Sequence, residues 1–134
     1  MKALLMLFSM LTILSTASLS WADCIVDNYG KGVCGAGRCI VDNYGHGQCA
    51  SSRGGQCIVD NYGKAVCGAG PCIVDNYGKG HCSSYRGGKC IVDNYGKGVC
   101  GAGECVVDNY GQGHCASRRG GQCIVDNYGR GVCE

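Results

Sequence analysis

The segment CIVDNYGKGVC, residues 24–34, constrains the fold most, because the same C-x9-C frame occurs seven times along the chain. Four-residue and seven-residue linkers alternate between the frames, so that two frames with their linkers form a 33-residue super-repeat. A repeat of this kind predicts one small structural unit stacked many times rather than a single globular core. All fourteen cysteines belong to the frames: Cys24, Cys34, Cys39, Cys49, Cys57, Cys67, Cys72, Cys82, Cys90, Cys100, Cys105, Cys115, Cys123 and Cys133.

Each frame has the pattern of a β-hairpin when its eleven places are counted from the first cysteine. Places three to seven are Val-Asp-Asn-Tyr-Gly in every copy, and place two is Ile in six copies and Val106 in one. Ile and Val favour strands, and Asn-Tyr-Gly favours a three-residue turn whose glycine is left-handed. This turn sets place one opposite place eleven at a non-hydrogen-bonded site, where a disulfide fits. The predicted bonds therefore join the two cysteines within each frame.

The predicted fold class is all-β, an elongated tandem array of seven disulfide-closed β-hairpins. The alternative is a two-sided β-solenoid with a 33-residue repeat. Bridges across the short linkers, such as Cys34–Cys39, are the main rival pairing, followed by free thiols that hold a metal. In the hairpin array, places one, three, nine and eleven share a compact face that can pack closely against a neighbour, and places two, four, eight and ten share the other.

The composition explains why cysteines are needed. Residues 23–134 contain six Ile and twelve Val but no Leu, Met, Phe or Trp. Eighteen such residues in 112 are fewer than an ordinary hydrophobic core requires. Covalent cross-links must then supply part of the stability, as they do in small secreted domains. We therefore expect an oxidising compartment, with the protein secreted and either extracellular or periplasmic.

The first 22 residues have the features of a secretory signal. Lys2 precedes an apolar run, residues 3–14, and Ser20 and Ala22 are the small residues that a signal peptidase site requires. The run is too short to span a membrane, and we expect no membrane span after the signal is removed. The predicted organisation is a signal peptide at 1–22 followed by one cysteine-rich tandem-repeat domain at 23–134.

Two places of the frame predict side-chain roles. Place ten is Val in the odd frames but Gln48, His81 and His114 in the even frames. We therefore expect the odd hairpins to bury this position and the even hairpins to expose it. Place eight lies opposite the Asp of place four and is Lys or Arg in five copies, as in Lys31 opposite Asp27, so we expect ion pairs there.

Catalytic, metal and cofactor sites are not predicted. No Ser, Cys or His has partners that resemble a catalytic triad or an acid–base pair, so we expect no enzyme and no cofactor. Neither C-x-C nor C-x-x-C occurs, the repeated Asp-Asn lacks calcium-loop spacing, and His81 and His114 are interpreted as exposed polar residues. Residues 23–134 carry a net charge near +1, which gives no reason to expect nucleic acid or an anionic membrane as a partner.

A regular row of tyrosines is the most conspicuous feature that could contact a partner. The sequence predicts one at each turn tip: Tyr29, Tyr44, Tyr62, Tyr77, Tyr95, Tyr110 and Tyr128. The first and last frames match the interior ones, although repeat arrays usually carry distinct polar caps. The favoured hypothesis is a non-enzymatic structural, cell-surface or matrix protein that self-associates end-to-end or side-by-side. The alternatives are a module whose tyrosines hold a glycan or another repetitive surface, and metal sequestration.

Overall fold

A computed structural model describes residues 22–134, and the predicted signal peptide lies outside these residues except for Ala22. None of the described residues belongs to a helix that could cross a membrane. They form fourteen short strands: β1 Asp23–Val26, β2 Gly32–Gly35, β3 Cys39–Val41, β4 Gly47–Cys49, β5 Gln56–Val59, β6 Ala65–Gly68, β7 Cys72–Val74, β8 Gly80–Cys82, β9 Lys89–Val92, β10 Gly98–Gly101, β11 Cys105–Val107, β12 Gly113–Cys115, β13 Cys123–Val125 and β14 Gly131–Cys133.

Successive strands pair antiparallel to give seven separate hairpins, which we number 1 to 7 in chain order. In hairpin 1, Cys24 lies opposite Cys34 and Ile25 opposite Val33, which is the predicted register. The turn glycines all have left-handed backbones, with φ between +79° and +89°. Every sheet in the described chain has only two strands. The hairpin array is therefore confirmed, and the two-sided solenoid is wrong.

A disulfide closes each hairpin, and none of the fourteen cysteines is free. The Cα atoms of bonded cysteines are 3.9–4.1 Å apart, the close approach expected at a non-hydrogen-bonded pair. Bridges across the linkers, such as Cys34–Cys39, are therefore wrong. The bonds are Cys24–Cys34, Cys39–Cys49, Cys57–Cys67, Cys72–Cys82, Cys90–Cys100, Cys105–Cys115 and Cys123–Cys133.

The hairpins stack face to face, and a small residue at place nine permits the close approach. A Cβ added to Gly47 would lie 3.1 Å from Val33 Cγ2 and 3.2 Å from Asp27 Cβ. At Gly98 the added atom would lie 2.4 Å from the ring of His81. Place ten of one hairpin thus covers place nine of the next, and the compact face predicted from the sequence is the face that packs.

The hydrophobic interior of residues 22–134 is made of small side chains. Within the described residues, the buried hydrophobic residues are Ala50, Cys57, Ala102 and Ala116. Three of these four residues lie in or beside the linkers, where the backbone of one unit passes over the next. Disulfides and backbone hydrogen bonds therefore hold the fold together, as the shortage of large aliphatic residues predicts.

The prediction for place ten is correct for Gln48, which is exposed, but wrong for two other even hairpins. His81 and His114 are half-buried, and each ring packs on the glycine of the next hairpin. Their Nε2 atoms lie 2.8 Å from a carboxylate oxygen of Asp75 and of Asp108. Places four and ten share a face, so a histidine is long enough to reach the aspartate of its own hairpin.

Candidate functional surface: the turn edge

All seven turns lie along one edge of the array, which we call the turn edge and define as places five to eight of every hairpin. The backbone amide of the Asn in each of the first six turns donates to the glycine carbonyl of the following turn, as from Asn28 to Gly45 at 3.0 Å. The same bond recurs at all six junctions, at 2.9–3.0 Å. Successive turns are therefore held in register by the backbone itself.

The seven turn tyrosines form an exposed and ordered row. The hydroxyl of Tyr29 donates to the carbonyl oxygen of Tyr44 at 2.9 Å, and each later tyrosine repeats this bond as far as Tyr110, which donates to Tyr128 at 3.2 Å. Between 56% and 76% of each turn tyrosine remains exposed. A ring anchored at its hydroxyl, with most of its surface open, loses little conformational freedom when a ligand stacks on it.

The turn aspartates cap the turns instead of pairing with the cations of place eight. In hairpin 1, Asp27 Oδ1 accepts the amide of Tyr29 at 3.0 Å and the amide of Lys31 at 2.9 Å. The expected Asp–Lys ion pairs are therefore wrong, and the only Lys or Arg side chain that pairs with a turn aspartate in the described chain is Arg130, at 3.0 Å from Asp126. The sequence signal for this arrangement is the Asp that directly precedes the Asn-Tyr-Gly turn. An Asp side chain at this position accepts hydrogen bonds from backbone amides two and four residues later.

The amides that point at these carboxylates lower the pKa of several of them. For Asp27, the amide of Lys31 is the main cause of the lowered pKa. For Asp93, burial raises the pKa, but hydrogen bonds from the backbone amides of Lys97, Gly113 and Tyr95 together outweigh this effect and lower the pKa. The carboxylates are therefore held in their charged form by the turns that they cap.

Shallow grooves lie between successive turns. One groove of about 550 Å³ is lined by Tyr77, Tyr95, Lys97 and other residues of three consecutive hairpins. A second groove, of about 490 Å³, shares Tyr77 and Lys97 with it and adds Lys79. Aromatic rings and ammonium groups therefore line the same continuous surface.

The described residues do not assemble a metal site. They contain no cluster of three or more His, Cys, Asp or Glu side chains placed to hold an ion. His81 and His114 each bind an aspartate of their own hairpin and are not brought together. All fourteen cysteine sulfurs are held in disulfides, so thiolate ligands for metal sequestration are not present in this state.

No family model, no curated protein and no solved structure matches the chain. The geometry defines the protein as an all-β tandem array of seven disulfide-closed hairpins with an exposed row of tyrosines along one edge. Seven disulfides in so short a chain are typical of extracellular proteins.

Proposed function

We propose that the chain is a secreted, non-enzymatic structural protein that serves as a stiff element of an extracellular layer, matrix or coat. The observation that carries this proposal is the uniformity of the junctions, because all six are joined by the same pair of turn-edge hydrogen bonds. Bending the array would lengthen these bonds on one side or compress the stacked faces, so the array resists bending.

Scattering and localisation test this proposal together. The secreted product should give the small-angle X-ray scattering of a thin rod, and immunolabelling should place it in a continuous extracellular layer. Replacing Cys57 and Cys67 by Ala supplies a control, because loss of a central disulfide should soften the rod without shortening the chain. A flexible-chain scattering profile, or a product found only dissolved in the medium, would contradict a structural role.

The two terminal hairpins support end-to-end self-association. Val26 on hairpin 1 is 69% exposed, and Ile124 and Val132 on hairpin 7 are 63% and 48% exposed, although their counterparts inside the array are covered by a neighbour. In an internal junction, places two, four and ten of one hairpin pack on place nine of the next hairpin. Hairpin 1 leaves its place nine uncovered, and hairpin 7 leaves its places two, four and ten uncovered, so the two open faces match the two sides of an internal junction. We propose that a second copy of the chain binds there in head-to-tail fashion.

Hydrogen-bonding groups give this contact a direction. On hairpin 7, the amide of Asn127 and the hydroxyl of Tyr128 have no partner among residues 22–134. On hairpin 1, the carbonyls of Tyr29 and Gly30 accept no hydrogen bond within the same residues. One end offers donors and the other offers acceptors, so unlike ends are complementary and like ends are not.

The second candidate function is a binding module that holds a glycan or another repetitive surface along the turn edge. The exposure and regular anchoring of the turn tyrosines favour it. Replacing Tyr62, Tyr77 and Tyr95 by Ala should abolish retention on immobilised polysaccharides. The corresponding Phe variants keep the rings and should still bind, whereas equal retention of the Ala variants would exclude the row as a binding surface.

A further inference from the structure

The charges of this protein are segregated between its surface and its interior. Five of the seven turn aspartates are buried: Asp27, Asp60, Asp75, Asp93 and Asp108. All of the described lysines and arginines are exposed: Lys31, Arg38, Arg53, Lys64, Lys79, Arg86, Lys89, Lys97, Arg118, Arg119 and Arg130. The net charge of residues 23–134 is near +1, but most of the charged groups that are exposed to solvent are positive.

The lysines of the turn edge are available to a ligand. Lys31, Lys64, Lys79 and Lys97 occupy place eight, and none forms an ion pair within the described part of the chain. The reason is local, because the aspartate opposite each lysine accepts the lysine's backbone amide, at 2.9–3.0 Å, rather than its ammonium group. An ammonium group without a fixed partner can pair with an incoming anion at no cost in broken ion pairs.

Each of these ammonium groups follows an exposed tyrosine by two residues. The backbone bonds between turns keep these tyrosine–lysine units in register, and the grooves between hairpins 4, 5 and 6 show both residue types on one surface. An aromatic ring suits the apolar face of a sugar, and an ammonium group suits a carboxylate or a sulfate. A row of such units fits a long, unbranched ligand that repeats both features.

We propose that the turn edge binds an extended acidic polysaccharide, with sugar faces on the tyrosines and acidic groups on the lysines. This inference rests on the second proposed function and specifies its ligand class. The net charge near +1 gave no reason to expect an anionic partner. The net charge counts the buried aspartates, however, and a ligand at the surface meets mainly the exposed lysines and arginines. A polysaccharide is favoured over nucleic acid because the seven disulfides are typical of extracellular proteins, which meet acidic polysaccharides.

The test compares two variants with equal loss of charge. The turn variant replaces Lys31, Lys64, Lys79 and Lys97 by Gln, which already occupies place eight at Gln112. The linker variant replaces four cations at the opposite end of the hairpins by Gln: Arg53, Arg86, Arg118 and Arg119. Binding of the secreted product to dextran sulfate, to alginate and to neutral dextran is measured by titration at several salt concentrations.

The expected result is binding to dextran sulfate or alginate, but not to dextran, that weakens as salt rises. The turn variant should bind roughly tenfold or more weakly, since four exposed ion pairs are lost, and the linker variant should change by less than about threefold. Comparing dextran sulfate with alginate distinguishes sulfate from carboxylate as the preferred group.

The inference would be overturned by no binding to either acidic polymer, by equal binding to neutral dextran, by equal losses in both variants, or by single-stranded DNA bound as tightly as the better polysaccharide. The failure of the second proposed function gives a different pattern, because replacing Tyr62, Tyr77 and Tyr95 by Ala would then leave all polysaccharide binding unchanged. Binding that survives the turn variant but is lost on removal of the tyrosines rejects the acidic ligand and retains the tyrosine row.

Discussion

The turn glycines combine a backbone requirement with a packing requirement. Gly30 and Gly63 both have left-handed backbones, with φ of +79° and +80°. A Cβ added to Gly30 would meet nothing within 4 Å, whereas one added to Gly63 would lie 2.8 Å from Asn43 Cβ of the preceding turn. The same substitution at these two positions therefore separates backbone strain from loss of stacking.

We expect Gly30→Ala to lower the free energy of unfolding by about 1–2 kcal/mol, the cost of a left-handed backbone for a residue with a Cβ. Gly63→Ala should cost more than this, because the turns of hairpins 2 and 3 must also move apart. Chemical denaturation with the disulfides intact measures both losses. Equal losses at the two positions would show that the turns do not pack as closely as the structure indicates.

The turn aspartates predict that acid destabilises the array. The amide of Lys31 lowers the pKa of Asp27, and the amide of Arg130 lowers the pKa of Asp126. A carboxylate with a lowered pKa in the folded state stabilises the fold above its unfolded pKa of about 4, and this contribution is lost as the pH falls through the folded value. The denaturation midpoint should therefore be lower at pH 2 than at pH 5.

Substitution of one turn aspartate tests the source of this acid sensitivity. Asp93→Asn keeps an oxygen that can accept the amides of Tyr95 and Lys97 but removes the titration. The variant should lose less stability than the natural chain between pH 5 and pH 2. The same pH dependence in both proteins would assign the effect to other groups.

At the scale of the element, one hairpin is an eleven-residue loop closed by a disulfide, and the hairpins differ in how deeply that disulfide is buried. Cys57 in hairpin 3 is 7% exposed, whereas Cys24 and Cys34 in hairpin 1 are exposed. Both bonds close loops with a sequence separation of 10, so the entropy that each removes from the unfolded chain is the same.

Replacing a cysteine pair by Ala should cost about 2–4 kcal/mol at Cys24–Cys34, and more at Cys57–Cys67 because buried contacts are also lost. Hydrogen exchange of the strand amides reports the loss hairpin by hairpin. Complete reduction should unfold the array. Protection that persists after reduction would mean that packing, rather than the disulfides, holds the hairpins.

The hairpin itself could be predicted from the sequence because everything that specifies it lies within eleven residues. The turn residues, the strand residues and the cysteine spacing agree on one register, and the structure has that register. The side-chain contacts of place ten could not be predicted in the same way. Whether His81 reaches water or Asp75 depends on the next hairpin, whose Gly98 leaves room for the ring.

Gln48 and Ala65 also show that the residue at place ten depends on the residue at place nine of the next hairpin. Ala65, in hairpin 3, is the only residue at place nine that carries a Cβ. Place ten of the preceding hairpin holds the flexible and exposed Gln48, whereas hairpins 4 and 6 have a histidine there. The two differences compensate, because a longer residue at place nine leaves no room for a ring above it. Each difference alone looks like ordinary variation in the sequence.

At the scale of the whole molecule, the residue that follows the last cysteine of a hairpin controls how closely the next hairpin can approach. In hairpins 1, 3 and 5 this residue is glycine, and a Cβ on Gly35 would lie 2.4 Å from Cys49 Cβ. In hairpin 7 it is Glu134, which carries a Cβ. The last frame matches the others, but the residue that follows it differs from the one that follows hairpins 1, 3 and 5.

The junctions that follow even hairpins accept a Cβ at this position, since Ala50 and Ala116 lie buried there. Hairpin 7 is an odd hairpin, and a close junction like those after hairpins 1, 3 and 5 has no room for the Cβ of Glu134. We therefore expect Glu134 to limit head-to-tail association of the natural chain. Glu134→Gly should lower the dissociation constant by about tenfold, as expected when a steric clash of 1–3 kcal/mol is removed. Sedimentation velocity over a concentration series measures the change.

A second substitution shows which surface is involved. Gly32→Glu should abolish the association, because it places a carboxylate against Asp126 of the second copy while meeting nothing within 4 Å in its own chain. Gln112→Glu adds the same charge on the turn edge and should have no effect. Association that survives Gly32→Glu would be side-by-side rather than end-to-end.

The sequence alone determined the unit: a turn, two strands and one disulfide, each specified by residues within eleven positions of one another. Only the tertiary structure decided what the units do together, because the turn-edge bonds between hairpins join residues 15 to 20 positions apart, as in Tyr29 to Tyr44 and Asn43 to Gly63. Stacking also decided which charges reach the surface, since the turn amides satisfy the aspartates and leave the lysines of place eight to the solvent. The physical reason is that local propensity acts along the chain, whereas burial and partner choice depend on what the next unit covers.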